Sequence, residues 1–269
     1  MRAAAAHPPR RRRFGQHFLH DPAIIERILG ALDARAGEHL VEIGPGRGAL
    51  TRQLLALPDV SFDAIEIDRD LSARLRAEFR DAPRQQLHSA DVLEFDFRAL
   101  ARARGGRLRL IGNLPYNIST PLLFRLLEQA DALSDLTVML QREVAARLSA
   151  APGESDYGRL GIMLSAGFEV SRLFEVGPGA FQPPPRVWSA VVRLRVRPTP
   201  RFAVSPHFAP LVAAAFAARR KTLRNALGGF LTRAQIEACG IDPGARPETL
   251  APEAFNTLAQ TLDRTRPER

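Results

Sequence analysis

Short apolar runs alternate with amphipathic helical stretches along the chain. The runs are His39–Ile43, Phe62–Ile67, Gln85–Ser89, Leu108–Ile111, Leu136–Leu140 and Ala190–Val196. Between them lie Ala49–Leu57, Leu71–Phe79, Thr120–Gln129 and Glu143–Ser149, whose apolar residues recur at helical spacing. Strand–helix–strand alternation of this kind predicts an α/β fold with a mostly parallel, doubly wound sheet. The last run, Ala190–Val196, alternates in and out and reads as an antiparallel edge strand. At Arg197-Pro198-Thr199-Pro200 the pattern changes. Prolines mark a linker or sharp turn there, and helical stretches follow at His207–Leu227, Thr232–Cys239, Pro247–Leu250 and Pro252–Leu262. We place a boundary near residue 198, with an α/β domain over 1–197 and a small all-helical domain over 198–269.

Composition narrows the class. The 269 residues are 45% hydrophobic and 25% charged, as in a soluble globular protein. No apolar run approaches the roughly 18 residues of a membrane-spanning helix. Net charge is +9. Lys221 is the only lysine among 38 basic residues, and codon usage in a GC-rich genome accounts for that choice of arginine. It does not account for the positive surplus, which favours polyanionic partners, nucleic acid before anionic membrane. The single cysteine, Cys239, excludes an intrachain disulfide or a cysteine-based zinc site and fits a reducing, cytoplasmic compartment. Met1 to Arg13 is Ala-rich, ends in four arginines and lacks the apolar stretch of a secretory signal. Its composition imitates an organellar transit peptide, but the segment is short.

The chemistry begins after the run at His39, in Glu42-Ile43-Gly44-Pro45-Gly46-Arg47-Gly48-Ala49. Glycines between a strand and a helix permit a tight turn and close approach of a ligand. Dinucleotide sites use G-x-G-x-x-G with a pyrophosphate over the helix. Here the spacing is G-x-G-x-G, which suits a ligand without phosphates, such as S-adenosylmethionine, laid along Gly44 and Gly46. Glu66, at the end of the next run, can accept both hydroxyls of a ribose. Asp68 reads instead as a helix N-cap. Asp91, after the following run, can accept from an adenine amino group or simply cap a turn. No metal is called for.

The run at Leu108 ends in Asn113-Leu114-Pro115-Tyr116. Ligands in open α/β sheets bind at the carboxyl ends of strands. Proline removes a backbone donor and keeps the preceding residue extended, so the Leu114 carbonyl is free to face a substrate. The Asn113 side-chain oxygen is a second acceptor. Two acceptors can hold both hydrogens of an exocyclic amino group and turn its lone pair toward an electrophilic methyl. Tyr116 can stack on the flat ring. Positioning then does most of the work.

These motifs resemble the ribosomal RNA adenine N6,N6-dimethyltransferase family over nearly the whole chain. That resemblance implies a seven-stranded, Rossmann-like methyltransferase domain using S-adenosyl-L-methionine. Arg13-Phe14-Gly15-Gln16-His17-Phe18-Leu19 is similar to the family's N-terminal motif, so Gln16, His17 and Leu19 are implied to close over the methionine end of the cofactor, together with Asn113. Position 17 is usually asparagine. A contact through its backbone survives histidine; one through its side chain does not necessarily do so. Phe181-Gln182-Pro183-Pro184-Pro185-Arg186-Val187-Trp188-Ser189 resembles the family's F-x-P-x-P-x-V-x-S stretch and implies that Phe181 stacks on the target adenine opposite Tyr116; the alternative is a core phenylalanine.

Adenine in a helix hides its amino group, so the target must be unpaired or flipped. Arg10 to Arg13 and Arg219, Arg220, Lys221 and Arg224 are the expected RNA contacts. The second cluster resembles that of the bacterial small-subunit branch, which dimethylates two adjacent adenosines in a hairpin loop near the 3′ end of 16S rRNA during ribosome assembly. The resemblance implies a monomer acting on the small subunit or its precursor. Two alternatives stand: a 23S rRNA methyltransferase conferring antibiotic resistance, and an assembly or transcription factor in which catalysis is incidental.

Overall fold

A computed structural model describes residues 16–79, 84–217 and 220–265. Its nine strands, in chain order, are β1 (Phe18–Leu19), β2 (His39–Ile43), β3 (Ser61–Ile65), β4 (Gln85–His88), β5 (Leu108–Asn113), β6 (Leu133–Gln141), β7 (Phe168–Val176), β8 (Phe181–Gln182) and β9 (Ser189–Val196). Seven form one sheet in the order β4-β3-β2-β5-β6-β9-β7, and β1 pairs with β8 beside it. The first five of these seven are parallel; β9 is antiparallel to both β6 and β7.

Helices cover both faces, as parallel strands buried on two sides require. They are α1 (Pro22–Leu32), α2 (Thr51–Leu55), α3 (Arg69–Leu75), α4 (Phe97–Arg104), α5 (Ser119–Glu128), α6 (Arg142–Ser149) and α7 (Arg159–Ser165). Asp21 starts α1 by accepting from the Ala23 and Ile24 amides, ahead of Pro22. Asp68 starts α3 in the same way, as expected. At the amino ends of the strands, Arg109 bridges Asp135 and Glu38 and donates to the Leu32 and Asp33 carbonyls, tying the end of α1 beneath the sheet.

Two expectations change. Ala190–Val196 is not an edge: β9 lies between β6 and β7, and β7 is the edge strand. The pattern of β7 concealed it, because exposed Glu169, Ser171, Arg172 and Glu175 and a bulge between Arg172 and Phe174 break the apolar alternation. The stretch from His207 to Leu227 is not one helix. α8 (Phe208–Phe216) and the short α9 (Leu223–Ala226) are separated by Thr222, which is extended. The Leu223 and Arg224 amides donate to Ala245 and Pro243 instead of continuing a helix. With α10 (Arg233–Ala238) and α11 (Pro252–Thr265) these helices surround a core cluster that also takes in Tyr157 and Ile162. Tyr157 donates to the Leu250 carbonyl at 2.7 Å, pinning the helical segment to the rest. No helix among the described residues is long and apolar enough to cross a membrane.

Gly112 sets how closely β5 approaches β2. A Cβ there would lie 2.5 Å from the Ile43 carbonyl oxygen, so backbone must move. Gly112→Ala is expected to lower stability by about 1–3 kcal/mol, read as a shift in the urea unfolding midpoint.

Candidate active site

A cavity of about 260 Å³ opens at the carboxyl ends of β2, β3, β4 and β5. Its walls bring together Gln16, His17, Leu19, Gly44, Gly46, Glu66, Asp91, Asn113, Leu114, Pro115 and Tyr116, all of which sequence reasoning had singled out.

The glycine loop turns with Gly44 at φ 66° and Gly46 at φ 58°, a region that L side chains avoid. The Gly46 amide donates to Glu66 Oε2 at 3.1 Å, and the Asp68 amide donates to Glu66 Oε1 at 2.9 Å. Glu66 is thus fixed between the loop and the start of α3. Burial pushes its carboxyl above the usual range, against the pull of these amides. Asp91 Oδ1 accepts from the Leu93 amide, so it caps a turn while lining the cavity.

Glu42 also lines the cavity, and sequence reasoning assigned it no role. Its signal was a carboxylate inside an otherwise apolar strand, where charge is costly. Burial pushes its pKa up to about 8, with the neighbouring Glu66 charge adding to the rise. Thr51 donates to Glu42 Oε2 at 2.7 Å.

At the end of β5, Asn113 Nδ2 donates to the His17 carbonyl at 2.9 Å. A carbonyl only accepts, so the amide nitrogen must face His17 and Oδ1 is turned away from it. Leu114 is buried, and its amide donates to Met139, which leaves no freedom in the backbone at this point. Among the described residues no donor reaches the Leu114 carbonyl. Tyr116 is held by a 2.7 Å hydrogen bond between its hydroxyl and Ser189, and the His17 ring lies 5.7 Å from its own.

The substitution of histidine at position 17 is resolved by this geometry: the contact to Asn113 runs through the backbone. The ring does something else, donating from Nδ1 to the Pro183 carbonyl at 2.7 Å. Phe18 lies over Gly46, with the Arg47 guanidinium 4.3 Å from its ring centre.

Phe181 is not brought to the cavity wall. Its side chain is 2% exposed and packs with Leu19, Val176 and Ala180. The Leu19–Phe181 pairing of β1 with β8 folds it beneath the N-terminal segment. The expected pair of facing rings is therefore absent here; Tyr116 borders the cavity and Phe181 the core. Arg220, Lys221 and Arg224 are exposed, with no ion pair among the described residues. Arg219, Arg10 to Arg13, Phe14 and Gly15 lie outside the described residues.

The residues present fit S-adenosylmethionine. A side chain at Gly44 would meet no atom within 4 Å, and Gly44 lines the cavity, so the loop leaves room for a ligand along its backbone. Carboxylates on successive strand ends await donors such as hydroxyl and amino groups. Among the described residues Arg47 is the only arginine on the wall, beside three carboxylates. Among the described residues no cluster of His, Cys, Asp or Glu is arranged to hold a metal ion.

Two outcomes follow. Between about pH 4.5 and 8 the folded state holds a proton on Glu42 that the unfolded chain releases. Stability is therefore lost as pH rises through that window, by at most about 1.4 kcal/mol per pH unit. Glu42→Gln should remove this loss, so its melting temperature should gain on the wild type from pH 5 to pH 8. His17→Asn should keep methyl transfer within about three-fold, since the Asn113 contact uses the backbone; steady-state kinetics check this.

A model of the ribosomal RNA adenine dimethylase family matches residues 9–264. Ribosomal RNA small subunit methyltransferase A of Pseudomonas aeruginosa is 51% identical over 259 residues, covering 94% of each chain. Its namesake in Methylococcus capsulatus is 47% identical over 258 residues, covering 96% of this chain and 99% of its own. Among solved structures, a dimethyladenosine transferase from Plasmodium falciparum shares the fold with a TM-score of 0.78 at 23% identity, over 92% of this chain and 98% of its own. The 23S rRNA methyltransferase ErmE gives a TM-score of 0.68 at 28% identity, over 91% and 99%. The chain belongs to the ribosomal RNA adenine dimethylase family.

Proposed function

We propose that this protein dimethylates N6 of two adjacent adenosines in a hairpin loop near the 3′ end of 16S rRNA, in the small ribosomal subunit or its precursor. The carrying observation is the orientation of Asn113. Its Nδ2 is committed to the His17 carbonyl, so Oδ1 and the Leu114 carbonyl form a pair of acceptors at the end of β5. The relatives named small subunit methyltransferase A favour this substrate over 23S rRNA.

S-adenosyl-L-methionine, when bound, supplies an electrophilic methyl group. Gly44 and Gly46 would lie along it, Glu66 would accept from its ribose and Asp91 from its adenine. Gln16, His17 and Leu19 would close the methionine end. Asn113 Oδ1 and the Leu114 carbonyl accept the hydrogens of the target amino group and take its lone pair out of conjugation with the ring. Tyr116, fixed by Ser189, supplies the stacking face. No strong base is needed before attack, because the nitrogen becomes acidic only as it gains a methyl. Its proton then leaves along the hydrogen bond to one of the two acceptors and on to water.

The helices beyond residue 198 serve as the rRNA-binding part in this reading. Arg220, Lys221 and Arg224 present charge without a competing carboxylate, and Arg219 completes the cluster in sequence. The protein acts as a monomer in the cytoplasm.

Small-subunit particles lacking the mark, incubated with enzyme and cofactor, should acquire two adjacent reverse-transcription stops near the rRNA 3′ end. Asn113→Ala should bind the particles within about two-fold of wild type yet lose at least about 100-fold in methyl transfer. Full cellular function in that variant would favour the binding-factor alternative. Stops in 23S rRNA would favour the resistance enzyme.

A further inference from the structure

Trp188 stands out on the surface. It is the only tryptophan in the chain and 47% exposed. Indole is large and apolar, and burial would normally claim most of it. Here one side of the ring is seated on the backbone of Gly177, with ring atoms 3.7–3.9 Å from where a Cβ would stand. The rest faces solvent. Val187 beside it is 43% exposed, and Pro185 is buried, so the loop is anchored while its tip projects.

Its position relates it to the reaction centre. The Trp188 carbonyl accepts from the Arg142 amide at 2.9 Å, which fixes it against the carboxyl end of β6. The next residue, Ser189, holds the Tyr116 hydroxyl at 2.7 Å. Neighbouring Cα atoms are about 3.8 Å apart, so the backbone that carries the indole adjoins the residue that holds the ring proposed to stack on the target base. The loop's other end is held by the bond from His17 to Pro183.

Arginines stand near Trp188 along the chain and across the backbone bond from Arg142. Arg186, two residues away, is exposed, and Arg142 is 55% exposed. The carboxylate here is Glu175, which Arg142 approaches at 3.8 Å and Arg172 binds at 2.8 Å. Glu143 next to Arg142 is engaged by Arg147, so the three arginines face Glu175 as the remaining carboxylate and leave the rim positive. An aromatic face between cations is how proteins grip single-stranded nucleic acid: bases stack on the ring while the charges meet the phosphates.

We propose that Trp188 is a stacking platform for a nucleotide flanking the target adenosine, with Arg142 and Arg186 meeting the adjoining phosphates. It is a positioning residue: it holds the strand next to the base being methylated and touches neither the reacting nitrogen nor the cofactor. The inference rests on the reading of the site as an RNA adenine methyltransferase centre.

The single tryptophan makes the test specific. Full-length protein is titrated with an RNA hairpin whose loop carries two adjacent adenosines, and indole emission is followed. Stacking should quench it saturably. Kinetics on unmarked small-subunit particles supply the second readout. Trp188→Ala should raise KM about ten-fold while kcat stays within about two-fold, and Trp188→Phe should recover most of the loss. An unchanged KM in Trp188→Ala, or a fall confined to kcat, would overturn the proposal. So would emission unaffected by saturating hairpin; if it is shielded only in assembled particles, the platform meets a ribosomal protein instead. Should wild type bind and quench but transfer no methyl to particles, the platform stands and the functional reading fails.

Discussion

The site depends on one hydrogen bond, from Asn113 Nδ2 to the carbonyl of His17. Without a partner the amide could flip, exchanging donor for acceptor toward the cavity. The His17 carbonyl removes that choice. It also draws the N-terminal segment over the end of β5, where β1 can pair with β8 and the His17 ring can reach Pro183. Cavity roof, proline loop and reaction centre are thereby joined through a single residue. That residue can be histidine here because the bond to Asn113 asks only for a backbone.

A second constraint is electrostatic. Glu42, Glu66 and Asp91 converge on a small cavity with little cationic relief. Glu66 is steadied by backbone amides, and Glu42 is pushed toward its neutral form by burial and by Glu66. Such a wall discriminates against phosphates and favours a ligand rich in hydroxyl and amino donors. The positive charge of the chain is placed elsewhere, at the rim around Trp188 and on the helices beyond residue 198, where a polyanion can meet it.

What the sequence made legible follows from locality. The glycine loop, Glu66, Asp91 and Asn113 to Tyr116 each sit at the end of their own strand, so periodicity and turn chemistry sufficed to place them. β7 was hidden because its charged residues mask a strand whose pairing with β9 is decided by tertiary context. The same holds for the break before α9, where amides of Leu223 and Arg224 prefer Ala245 and Pro243. Phe181 looked like a clamp by its motif, but the pairing of Leu19 with Phe181 buries its ring. Glu42 is visible in the sequence as a carboxylate within an apolar strand, but only the packed structure reveals how little water reaches it.

Two acceptors aimed at one amino group make a chemical demand on the product. Nucleosides from small-subunit rRNA, digested after exhaustive reaction and resolved by mass spectrometry, should contain two N6,N6-dimethyladenosines per particle as the only new methylated species. Methyl groups on a ring nitrogen or on ribose would contradict the roles given to Asn113 and Leu114.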